Sequence, residues 1–187
     1  MIDKSYYRWF NGYTNNVLAL TWCSAATTDD VLASCRIPPE ITEPMKFLGG
    51  DVDMLIGRLG TGTVILDYSV DCPTPGALPA LARQGPCLRA AWCDEVPAIV
   101  SYHHQDGRMI EFDAASRDRY PNPDLASVER WIATTPGGKE SWDDHWGRAV
   151  LVTAEALVEA SVDEEWMQSM HVGVTFPPST PVDTWRS

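Results

Sequence analysis

Apolar residues follow a short, strand-like rhythm through the first two thirds of the chain and a helical one in the last third. Val17 to Cys23 (VLALTWC) is a compact apolar run with a β-branched start and predicts a strand. Thr27-Thr28-Asp29-Asp30 supplies a cap and early acids, and Val31, Leu32 and Cys35 fall at helical spacing, so Asp29 to Cys35 predicts a short helix. Pro38-Pro39 ends it. Asp53 to Leu59 and Thr63 to Ser69 flank Gly60-Thr61-Gly62, two β-rich runs about a glycine-containing turn, which predicts a hairpin. Cys72 to Gly76 is a stiff connector, and Ala77 to Arg83 a short helix with Leu78 and Leu81 inward. Cys87 to Cys93, Ala98 to His104 and Arg108 to Phe112 are the next strands, the last two joined at Gln105-Asp106-Gly107.

Asn122-Pro123-Asp124 then joins an N-cap to an N1 proline and an early acid, so Pro123 to Ala133 predicts a helix. From Glu140 to Ala160, Trp142, Trp146, Ala149, Val150, Thr153, Leu157 and Ala160 share one face, with Asp143, Asp144, Arg148, Glu155 and Glu159 around the remainder. Asp163-Glu164-Glu165 opens another short helix to Met170. Near the start, Ser5 to Gly12 predicts a short aromatic helix. Residues 1–176 are expected to form a single α+β domain. Its antiparallel sheet is expected to have five to six strands, with helices packed on one face and a long helix near the C-terminus. Residues 177–187 are expected to be a Pro-rich extended tail.

Charge narrows the partners. The 187 residues carry a net charge of −12, and residues 139–187, with nine acids and three bases, hold half of it. Such a field repels nucleic acid and anionic lipid, which need Lys and Arg to displace counterions, and speeds encounter with a basic protein. It also serves plain solubility. Cys23, Cys35, Cys72, Cys87 and Cys93 are odd in number and have no CxxC pair, which argues for structural thiols rather than a disulfide framework or zinc knuckle. No apolar run approaches the roughly 20 residues that span a bilayer. The opening MIDKSYYRWF has no apolar stretch of the signal-peptide kind, so a reducing cytoplasm is the expected compartment.

Motifs of known chemistry are scarce. There is no GxSxG elbow and no HExxH, and Gly57 to Gly62 has neither GxGxxG spacing nor the GK[ST] of a P-loop. His103 and His104 are neighbours in a strand and point to opposite faces, and His104 with Asp106 is too small a set for a metal. No catalytic residue, cofactor or metal site is therefore assigned. In SWDDHWGR, Glu140, Asp144 and Arg148 have the spacing of a surface ion-pair ladder, and Trp142 and Trp146 lie one turn apart. Two readings stand side by side: core anchors under a solvated face, or an acidic, tryptophan-bearing docking surface of Trp142, Asp143, Asp144 and Trp146. Trp185, on the Pro-rich tail, either folds back on the domain or marks contact with a second chain.

An order of features resembles a family of small actinobacterial proteins with no assigned activity. These are the aromatic opening, Asp29-Asp30-Val31-Leu32, the hairpin Ile56-Gly57-Arg58-Leu59 to Ile65-Leu66-Asp67, the return Asp106-Gly107-Arg108 with Phe112, and Pro123-Asp124-Leu125 onward. The resemblance spans residues 5–170, agrees with the α+β expectation and implies a bacterial origin, but carries no functional residue. The function expected from charge, aromatics and missing catalytic signatures is binding of another, basic protein, as by a cytosolic immunity protein or inhibitor. The alternatives are a small-ligand protein or enzyme with a pocket of scattered residues such as Cys93, His104 and Asp106, and a structural subunit of a larger assembly.

Overall fold

A computed structural model of the protein describes residues 17–47, 51–93, 96–118 and 124–177, with 92, 93, 96 and 97 described in backbone alone. The helix expected over Ser5–Gly12, Pro123, residues 178–187 and Trp185 lie outside the described residues. The strands are β1 (Ala19–Cys23), β2 (Thr42–Met45), β3 (Met54–Leu59), β4 (Gly62–Asp67), β5 (Cys87–Cys93), β6 (Val96–His103), β7 (Met109–Asp113) and β8 (His171–Val174). They form one antiparallel sheet in the order β2-β8-β3-β4-β1-β5-β6-β7. The α-helices are α1 (Thr28–Ser34), α2 (Thr74–Leu81), α3 (Leu125–Ile132), α4 (Gly138–Val158) and α5 (Glu164–Gln168).

The α+β class is as expected, but the expectation of five to six strands is wrong: among the described residues the sheet has eight. The two unforeseen strands, β2 and β8, pair with each other at one side, Thr42 opposite Val174 and Met45 opposite His171. β2 reads TEPM, with Pro44 and exposed Glu43, which suits an edge strand because proline cannot donate to a ladder. The helices also differ from the expectation of packing on one face. Leu20, Trp22, Val64, Leu66 and Leu88 join one core with residues of α3, α4 and α5. Their strand neighbours Cys23, Ile65 and Cys87 join a second core with residues of α1 and α2. Successive strand residues face opposite ways, so these cores lie on opposite faces of the sheet. β1 and β4 are accordingly buried at every position.

Local chemistry sets the ends of the elements. Thr27 accepts from the Asp30 amide at 3.2 Å while the Asp30 carboxylate accepts from the Thr27 amide at 2.8 Å, a reciprocal cap on α1. The β3–β4 hairpin closes tightly, Leu59 opposite Gly62, with Gly60 at φ +54°. A Cβ on Gly60 would lie 2.1 Å from the Val158 carbonyl oxygen, and Thr61 N–H donates to that same oxygen at 2.8 Å. The turn thus caps the end of α4, and glycine is required for both conformation and closeness. No helix among the described residues is long and apolar enough to cross a membrane.

Candidate functional site

Four of the five residues singled out as a docking surface meet at one place. A recess of about 330 Å³ opens between the first half of α4 and the segment after β7, lined by Trp142, Asp143, Asp144, His145, Trp146 and Arg117, with Ala114 and Ala115. An aromatic cluster supports it from beneath. Trp142 packs on Phe112 and Trp131 at ring-centroid distances of 5.6 and 5.5 Å, and its Nε1–H donates to Thr135 Oγ1 at 2.8 Å. That hydroxyl donates in turn to the Ile132 carbonyl at 2.7 Å. Trp142 is therefore a buried anchor whose edge reaches the recess, whereas Trp146 is only half-buried.

α4 is not one continuous helix. His145 has φ −160° and ψ 91° between two helical stretches. Its imidazole Nδ1 accepts from the Arg148 amide at 3.2 Å, so the side chain caps the second stretch as an N-cap residue does. The break cancels the expected Glu140–Asp144–Arg148 ladder, and among the described residues none of the three forms an ion pair. The ladder that exists lies one position earlier. Lys139 Nζ stands 2.9 Å from Asp143 Oδ2, Arg117 donates to Asp143 Oδ1, and both cations approach Glu129 at 3.9 Å. Hydrogen bonds from Lys139, then from Arg117, hold the Asp143 carboxyl below the usual carboxylate range. Asp143 is thus neutralised within the protein. Asp144 is exposed and unpaired among the described residues, next to the tryptophan surface.

Of the set Cys93, His104 and Asp106, the two described side chains are each engaged locally. Asp106, exposed, accepts from the backbone and side chain of Arg108, at 3.1 and 2.8 Å, within the β6–β7 turn. His104 stacks edge-on against Tyr102 at 4.7 Å, and burial followed by Arg108 pushes its pKa down. The Cys93 side chain lies outside the described residues. Among the described residues no group of three or more His, Cys, Asp or Glu side chains is arranged to hold a metal.

A second polar centre escaped the sequence reading. On the face covered by α1 and α2, Asp67 is buried to 1% exposure, accepting from Arg89 Nη1 at 2.5 Å and from Thr74 Oγ1 at 2.7 Å. Arg89 also donates to Thr21 Oγ1 at 3.0 Å. The signal was Arg89, one charge inside the otherwise apolar CLRAAWC. Ser101, His103 and Asp113, all buried, continue this face along β6 and β7. The thiols nearby are held in the protonated form. Burial, then the Asp67 charge, pushes Cys35 and Cys72 up to about 12, and a thiol hydrogen bond with Cys87, then burial, raises Cys23 well above its ordinary value.

Comparison with protein-family models, curated proteins and solved structures gives no match for this chain.

Proposed function

We propose that this chain is a binding protein that neutralises a basic partner protein, in the manner of an immunity protein or inhibitor, by docking the kinked start of α4 against it. The recess carries the reading: it brings the edge of Trp142 and the half-buried Trp146 beside Asp144, a carboxylate with no partner among the described residues. A lysine or arginine of the partner finds an aromatic face for its cation and a carboxylate for its hydrogen bonds. Asp143, tied to Arg117 and Lys139, shapes the rim. The net charge of −12 adds long-range attraction and disfavours nucleic acid and anionic membrane as partners. The four free thiols of the described residues suit a reducing compartment, and we take the cytoplasm as the place of action.

NMR titration with an arginine-rich peptide tests this. The Trp142 and Trp146 indole resonances are expected to shift saturably at low salt, to return on adding salt, and to respond weakly in Asp144→Arg. Indoles that ignore the basic peptide at low salt, or that respond equally in Asp144→Arg, contradict the reading.

A further inference from the structure

We propose that His145 is a proton-operated latch on the α4 kink, closed when its imidazole is neutral and released when it is protonated. The geometry of the kink carries the inference. His145 breaks the helical φ/ψ in the interior of α4, and Nδ1 accepts the Arg148 N–H. An acceptor at Nδ1 fixes the neutral tautomer with its proton on Nε2. A second proton can only go to Nδ1. It turns the acceptor into a donor aimed at another donor and cancels the cap. It also places a positive charge at the start of the second helical stretch, where the helix dipole opposes it.

The charged groups facing His145 set the direction. From α4 itself these are Asp143 and Asp144, which line the recess, and Arg148, whose amide is capped. From the segment after β7 comes Arg117, tied to Asp143 and near Glu129, and Lys139 holds Asp143 from one turn earlier. Arg117 and Lys139 match Asp143, so Asp144 is the recess carboxylate left unmatched among the described residues, and a protonated His145 beside it offsets that charge. Acidification thus loosens the kink and weakens the recess's hold on a cation. The second consequence rests on the docking reading of this recess. The first does not.

The test is a pH series on the full chain, from about pH 8 to about pH 5, the span over which histidines titrate. It follows the His145 ring signals and the exchange protection factor of the Arg148 amide. In the wild type, protection should fall about fivefold, the usual worth of a lost cap, along the same curve as the ring. In His145→Asn, whose side chain caps without titrating, the amide should stay protected throughout. In His145→Ala it should sit at the lower, roughly fivefold-reduced level at every pH, and far-UV circular dichroism confirms folding. An Arg148 amide that ignores the ring's titration, or that titrates unchanged in His145→Asn, would overturn the proposal. An arginine-rich peptide added to the same samples separates the readings. Peptide binding that weakens on acidification in the wild type but not in His145→Asn supports the latch. Absence of binding at every pH, with the amide titrating, refutes docking and leaves the latch standing.

Discussion

Replacing Arg89 with methionine removes the only cation that, among the described residues, is bound to Asp67, a carboxylate that is 1% exposed. Asp67 would keep the Thr74 hydroxyl at 2.7 Å and lose the 2.5 Å guanidinium bond, a charge stranded between sheet and helices. Breaking a buried pair from one side costs about 3–5 kcal/mol, and about 4 is expected here. The reverse change is milder. Arg89 is 15% exposed and has Thr21 as a second partner, so Asp67→Asn leaves a cation that can turn to water and keeps an acceptor for Thr74. A cost of about 2 kcal/mol is expected for it. In the double variant the stranded charges vanish together, so the loss should be about 3 kcal/mol, with a coupling of about 3. Urea unfolding of the four proteins, read at constant slope against denaturant, measures this cycle. Additive single losses, or an Arg89→Met cost below about 1 kcal/mol, would refute the argument that the pair is buried and mutually dependent.

Three further outcomes follow from other parts of the molecule. Gly57→Ala should destabilise by about 1–3 kcal/mol in urea melts, because the new Cβ would sit 2.5 Å from His171 Nδ1 and 2.7 Å from the Trp166 ring. Neither can retreat easily, since His171 Nε2 holds the Trp166 carbonyl at 2.9 Å and Trp166 Nε1–H holds the Arg58 carbonyl at 2.7 Å. Glu159→Gly should stabilise by up to about 1 kcal/mol, because Glu159 closes α4 at φ +57°, a conformation glycine takes freely, and a thermal melt reads the gain. Burial holds His103 and His171 below the usual imidazole value of 6.5, for His171 against an opposing bond to the Trp166 carbonyl. As pH falls below 6.5 the unfolded chain therefore takes up protons the folded chain refuses, and stability drops until the folded values are reached. Urea melts at about pH 7 and about pH 5.5 should show the drop, and His171→Gln should lessen it.

The hairpin was legible because Gly60-Thr61-Gly62 admits little but a turn, and α1 because Thr27 and Asp30 cap each other as their spacing suggests. β2 and β8 were not legible. TEPM carries a proline and no alternation, and HVGV is too short to show a period, so only the pairing between them makes both into strands. Helices on both faces had a signal in the unbroken Val64-Ile65-Leu66, which fits a strand buried on two sides better than an alternating one. The aromatic and acidic residues of the recess were found at their helical spacing, but the kink was not. No proline marks it, and the residue that makes it, His145, acts through a hydrogen bond formed only after the chain has folded. Arg117, which turns Asp143 from a docking charge into a rim support, comes from 26 positions earlier, a distance at which residue spacing says nothing about contact.

Capture from a lysate of the source cell by immobilised wild-type chain and by Asp144→Arg, washed at low and then high salt, tests the docking account most directly. The account expects a stoichiometric basic protein that the wild type retains at low salt and releases at high salt, and that Asp144→Arg fails to hold. A wild-type column that retains no basic protein, or one that Asp144→Arg retains equally well, would contradict it.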